Sequence, residues 1–103
     1  MSIKSLPIEL PMAEINAFCL RHYIGKLSLF GSILRNDFTA RSDVDVLVEF
    51  KQGKTPNFFT LIEMQDELGE IIGRVIDLRT PAELSDYFRD RVLAEALVIY
   101  DGN

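Results

Sequence analysis

Two aspartates, Asp43 and Asp45, stand one residue apart where a polar stretch gives way to VDVLVEF, Val44 to Phe50. Positions two apart on an extended chain face the same way, with Cα atoms roughly 6.5 Å apart. Two carboxylates about 5 Å apart repel by ~3 kcal/mol at an effective dielectric near 20. A cation between them removes that cost. Mg²⁺ suits such a pair because it takes one or two protein carboxylates and keeps room for water and phosphate oxygens. A bare D-x-D decides nothing, since a turn at Ser42-Asp43 with Asp45 on a solvated face meets the same spacing. Asp77 shifts the balance. It lies among the strand formers Val75, Ile76 and Leu78, where burying an acid is costly unless it is paired or metal-bound. If its strand neighbours Val44–Phe50, three carboxylates converge; the alternative is an exposed acid on an edge strand. Gly31-Ser32 offers complementary chemistry. A glycine lets backbone approach a ligand closely, and the serine brings a hydroxyl and an N–H, although Gly-Ser is also a common turn. Arg35 can add a charge-assisted contact to phosphate. Arg41 reads rather as a solvated residue.

The elements that must position these residues follow from pattern. Through Pro11, with Pro7 before it, the chain reads as an extended arm. Met12, Ile15, Phe18, Cys19 and Tyr23 recur at helical spacing, predicting a helix over 12–23 that stops at Gly25. KLSLFGSI, 26–33, reads as a strand, LRNDFTARSD as a turn-prone connection, and 44–50 as the clearest strand of the chain. Phe58, Leu61, Ile62, Leu68 and Ile71 define a helix from about 58 to 71, ended by Gly73. A third strand, RVIDLR, covers 74–79. Thr80, Pro81 and Glu83 carry helix-start signals, with a break near Ser85 and helix to Ala96. LVIY suits a short edge strand. The order predicts an α+β domain: a small mixed β-sheet with helices packed mainly on one face.

The chain has 103 residues, a length that suits one domain spanning 1–103. Lys plus Arg is 11 against 16 Asp plus Glu, a net charge of −5 that disfavours direct, sequence-independent nucleic-acid binding. Its 48% hydrophobic and 26% charged residues exclude a disordered chain. The single cysteine, Cys19, forms no internal disulfide and reads as a small core hydrophobe. No apolar run is long enough to span a bilayer, and the first residues lack a signal-peptide core. The expectation is a soluble, cytoplasmic protein with no membrane partner.

Taken together, Gly31-Ser32, Asp43-x-Asp45 and one later strand acid resemble the minimal nucleotidyltransferases of the DNA polymerase beta-like nucleotidyltransferase superfamily, antitoxin members among them. LFGSILRNDFTARSDVDVLVEF is similar to the family's core motif, VIDL to its later acidic strand, and RDRVLAEALVIY to the tail of its small members. The resemblance implies a nucleotidyltransferase-like fold and assigns roles. Gly31, Ser32 and Arg35 would bind the nucleotide, ATP, through its triphosphate. Asp43 and Asp45 would be catalytic ligands of two Mg²⁺ ions, and Asp77 would join the second ion and orient or deprotonate the attacking hydroxyl. Leu34 and Asn36 depart from the small residue and glycine usual beside that arginine; Asn tolerates a left-handed turn.

Small members of this kind are often encoded with a HEPN-domain ribonuclease toxin. The resemblance therefore implies transfer of AMP from ATP to a tyrosine of such a partner in a hetero-oligomer. Negative charge is compatible with docking on a basic, RNA-binding protein. Two alternatives stay open: a non-catalytic module that neutralises its partner by occlusion, and nucleotidyl transfer to RNA or a small molecule. His22 has no acid at helical spacing to orient it and reads as a surface residue. Phe58 and Phe59 read as core aromatics. Tyr87, Phe88, Val92 and Ala96 form an apolar face on the last helix, suited to docking a partner.

Overall fold

The computed structural model describes residues 2–103. Helix α1 (Met12–Arg21) leads into strands β1 (Ile24–Phe30) and β2 (Val44–Phe50). Helix α2 (Phe58–Ile72), strand β3 (Ile76–Arg79), helix α3 (Asp86–Glu95) and strand β4 (Leu97–Asp101) follow. Short 3-10 turns lie at Ile3–Ser5, Gly31–Leu34 and Pro81–Glu83. The four strands form one sheet in the order β3-β2-β1-β4. β1 runs antiparallel to β2 and β4, whereas β2 and β3 are parallel. A parallel pair needs a crossover, which α2 supplies.

Strand alternation sorts the apolar residues into two cores. On one face Leu27, Leu29, Val44, Val46 and Val48 meet Ile15, Phe18 and Cys19 of α1 and Met64 and Leu68 of α2. On the other, Phe30 and Leu47 meet Leu84 and Val92, so α3 covers part of the second face. Two of the three helices thus share a face of a small mixed sheet, the α+β arrangement expected.

The β2 boundaries match the expected ones, and α2 ends on Gly73 in a left-handed conformation, φ 79°. Asn57 opens α2, its side-chain oxygen accepting the Thr60 N–H at 2.8 Å. Other boundaries differ. α1 stops at Arg21, and Tyr23, φ 56°, takes the left-handed position expected of Gly25. Its carbonyl is held there by the Lys51 N–H at 2.9 Å. Gly25 instead lies inside β1, where its carbonyl accepts from the Asn103 amide at 3.1 Å. β1 ends at Phe30 because Gly31 turns the chain with φ 78°. Asn36 has no left-handed φ; among the described non-glycine residues only Tyr23 does. The Thr80–Glu83 pairing forms, with the Thr80 N–H and hydroxyl donating to Glu83 Oε1 at 3.2 and 3.1 Å. It opens a 3-10 turn rather than a helix, because Leu84 returns to extended backbone and enters the second core. The arm before Pro11 is not merely extended: Ile3, Leu6, Ile8 and Leu10 pack on the main core.

Candidate active site

Alternation that sends Val44 and Val46 into the main core sends Asp45 to the opposite face, and Asp43, two residues earlier, follows it. Asp45 pairs in register with Asp77 across the parallel β2–β3 ladder, and with Phe30 across the antiparallel β1–β2 ladder. Neighbouring strands lie about 4.8 Å apart, so the two carboxylates share one face at close range. The Val44 N–H donates to the Val75 carbonyl at 2.9 Å, which joins the strands directly after Asp43. Asp43 is exposed; Asp45 and Asp77 are half-buried.

Gly31 completes the wall. A Cβ placed on it would stand 2.1 Å from Asp45 Oδ2 and 3.0 Å from Asp45 Cγ. The Asp45 carboxylate therefore rests against bare backbone, at a residue whose positive φ also favours glycine. Ile33, fully buried, anchors the 3-10 turn that carries Ser32. The Arg35 N–H closes the turn on the Ser32 carbonyl at 2.9 Å. Arg35 itself is exposed and donates to Asp37 at 3.4 Å. With Gly31 and Asp45 it lines a cavity of about 190 Å³.

Burial raises the Asp45 carboxyl above its ordinary pKa, and the charges of Asp77 and Asp43 raise it further, against the opposing charges of Arg35 and Arg79. Two acids thus act on the third. Among the described residues no three acids, histidines or cysteines are grouped as a metal cage, and Asp77 Oδ1 accepts from Arg79 Nε at 2.9 Å. That hydrogen bond, then the Asp77 charge, raises the Arg79 guanidinium above its ordinary value. The donor set consists of hard carboxylate oxygens under mutual repulsion, which fits a divalent cation such as Mg²⁺.

Several supporting residues went unremarked in the sequence. Arg79, two residues beyond Asp77, lies on the same side of β3 by strand period, a signal that was available. Arg74 donates to the Thr39 and Ser42 carbonyls at 3.0 and 2.8 Å and lies 4.7 Å over the Phe38 ring, fixing the loop that delivers Asp43. Gln65 accepts the Leu78 N–H at 2.9 Å on the edge strand. Phe58 and Phe59 are not core residues, being 66% and 76% exposed. His22 does find an acid: Glu67 of α2, at 2.9 Å, which Arg21 also engages. Cys19 is fully buried, as expected. On α3, Val92 is buried while Tyr87 and Phe88 stay exposed, so its apolar face is only partly spent on the core. No helix among the described residues is long and apolar enough to cross a membrane.

Comparison with known proteins agrees with this architecture. A Methanocaldococcus jannaschii protein provisionally named a protein adenylyltransferase is 37% identical over 84 residues, covering 82% of this chain and 88% of its own. A solved structure described as a minimal nucleotidyltransferase superposes with a TM-score of 0.69 at 28% identity, covering 84% of this chain and 86% of that one. A toxin–antitoxin complex with AMP-PNP contains a chain with TM-score 0.73 at 18% identity, covering 89% and 74%. A complex of a tri-AMPylated Shewanella oneidensis HEPN toxin with its MNT antitoxin gives TM-score 0.65 at 16% identity, covering 87% and 69%. At those two lower identities the likeness is one of fold. The model of the nucleotidyltransferase domain matches residues 12–99, from the start of α1 into β4, and the chain belongs to that family.

Proposed function

We propose that this nucleotidyltransferase-family chain is a protein adenylyltransferase that moves AMP from ATP onto a tyrosine of a partner HEPN ribonuclease toxin, and so serves as its antitoxin. One observation carries the reading: Asp45 and Asp77 stand side by side in the ladder, with Asp45 lodged against the bare backbone of Gly31. The relative named for protein adenylylation and the toxin–antitoxin complexes of the same fold support the choice of acceptor and partner.

In this reading Gly31, Ser32 and Arg35 receive the triphosphate, the first by close backbone approach and the other two as donors. Asp43, Asp45 and Asp77 would hold two Mg²⁺ ions, which would supply positive charge to the entering and departing oxygens. The tyrosine oxygen bonds to the α-phosphorus as the bond to the bridging oxygen of pyrophosphate breaks. Pyrophosphate departs with that electron pair. Asp77 orients the hydroxyl and accepts its proton. The rest of the protein's contribution is position and field.

The test is intact-mass spectrometry of the HEPN partner this reading calls for, sought as the neighbouring-gene product and co-expressed with the parent or with Asp45→Asn. A gain of one or more AMP units with the parent alone is expected. An equal gain with Asp45→Asn removes the chemistry assigned to the acids. A toxin that is silenced but unmodified in both cases assigns the protein to occlusion instead.

A further inference from the structure

Four hollows adjoin, three on the face that bears the acids and the last at the β3 edge, where α2 borders Asp77, each sharing lining residues with the next. The first lies between Leu34, Arg35 and Leu97. Through Gly31 and Arg35 it joins the one beside Asp45, where Arg91 adds a second guanidinium. Phe30, Asp45 and Phe88 lead into a cavity of about 340 Å³ that also contains Asp77 and Arg79. Asp77, Arg79 and Glu83 then open into a last hollow of about 220 Å³, walled by Phe58, Leu61 and Ile62. Arg35 and Arg91 stand beside Glu95 at one end of the trough, the acids lie in the middle, and at the other end an apolar wall of Phe58, Leu61 and Ile62 faces Asp77, Arg79 and Glu83.

Substitution at a phosphorus places the entering and departing oxygens roughly in line on opposite sides. With the phosphates at the Gly31–Arg35 end and the acids at the reacting phosphorus, the hydroxyl must arrive from beyond Asp77. There the start of α2 and the edge strand line one hollow together. Phe58 is 66% exposed and Ile62 41%, so each keeps apolar surface open to solvent. We infer that this last hollow is the acceptor subsite, and that it takes a hydroxyl borne on an aromatic ring. The ring lies against Phe58 and Ile62 while its hydroxyl reaches the Asp77 carboxylate; a short aliphatic alcohol at the same carboxylate leaves the apolar wall untouched. The competing occupant is the nucleobase, which a hollow of this size also admits; the in-line approach from beyond Asp77 favours the acceptor. The inference rests on the proposed transfer reaction and adds to it the residues that select the acceptor.

The experiment separates the two ligands. Binding of a fluorescent ATP analogue and the rate of toxin labelling against toxin concentration are measured for the parent, Phe58→Ala, Ile62→Ala and Phe58→Leu. Loss of an aromatic contact of ~1.4 kcal/mol raises the KM for the toxin about tenfold in Phe58→Ala. Phe58→Leu recovers part of it, and nucleotide affinity stays within about twofold in all three. As a readout independent of turnover, p-benzoylphenylalanine at position 58 crosslinks to the toxin beside its labelled residue. Nucleotide affinity that falls in step with labelling gives the hollow to the base and overturns the inference. So does an unchanged KM with no crosslink. A parent that labels no toxin at all defeats the transfer reaction itself, a separate failure visible before any variant is made.

Discussion

Gly31→Ala tests the placement of Asp45 more directly than any change to the acid. Two costs arise, and a second glycine separates them. Gly31 has φ 78° and Gly53 has φ 75°, but only at Gly31 does a Cβ meet anything: Asp45 Oδ2 at 2.1 Å. At Gly53 the added methyl points into open space. A left-handed alanine costs roughly 1–2 kcal/mol, and the stiffer unfolded chain returns about 0.4–1 kcal/mol. Gly53→Ala therefore loses about 1 kcal/mol. Gly31→Ala adds a displacement of the Asp45 carboxylate by about 1 Å, an overpacking cost of roughly 1–3 kcal/mol. Its total of about 2–4 kcal/mol is a large share of the ~5–15 kcal/mol expected of a chain this size.

Urea denaturation of the two variants in the parent and in the Asp45→Ala background completes the cycle. Once the carboxylate is gone, the nearest side-chain atom is Asp45 Cβ at 3.4 Å, an ordinary contact. The excess cost of Gly31→Ala over Gly53→Ala should then vanish, giving a coupling of about 1–3 kcal/mol. In the transfer assay a carboxylate moved by about 1 Å loses on the order of 10²-fold in rate. The reasoning is refuted if Gly31→Ala and Gly53→Ala cost the same within ~0.5 kcal/mol in the parent, or if Asp45→Ala leaves the excess in place.

Two further predictions concern groups away from the acids. Burial works to raise the Glu67 carboxyl, but its hydrogen bonds to His22 and Arg21, helped by their charges, hold it below its ordinary value. A lowered folded-state pKa gives stability that is present above the unfolded value, ~4.3, and lost as pH falls through the folded one. The pair is partly exposed, so Glu67→Gln should cost only about 0.5 kcal/mol near neutrality; a gap in urea midpoint that widens below pH ~4 contradicts this assignment. Burial pushes the Cys19 thiol up to about 12, and native protein at neutral pH should react with a thiol reagent only as fast as it unfolds. Fast labelling in the absence of urea places Cys19 at the surface instead.

The parts of this fold readable in the sequence are those set by local pattern. VDVLVEF alternates cleanly between a polar loop and KQGK, so both ends of β2 coincide with the expected ones. The α2 stripe runs into Gly73, which alone accepts the left-handed stop cheaply. What the pattern lacks is long-range. Tyr23 takes a strained φ because the Lys51 N–H, 28 positions on, holds its carbonyl. His22 acquires its acid from a helix 45 positions away. Phe58 obeys the helical stripe, yet it lines an open hollow beside the edge strand and stays in solvent. Periodicity says which residues share a face of an element; it does not say where that element ends over its neighbour.

The acids show the same division. Strand period alone puts Asp43 and Asp45 on one side. That Asp77 faces Asp45, rather than Val75 or Arg79, depends on the β2–β3 register, and a slip of one residue sends it to the opposite face. The register is held by apolar burial: Val44 pairs with Ile76 and Val46 with Leu78, all four inside the main core. The acids themselves oppose it, since Asp77 and Asp43 both raise the Asp45 carboxyl. Arg79 and Arg35 reduce that opposition from within the chain, Arg79 by a direct hydrogen bond to Asp77. Folding can therefore hold the carboxylates together through the hydrophobic register, with the guanidiniums softening their repulsion. The cation proposed for this site would then answer a charge arrangement that the fold has already built.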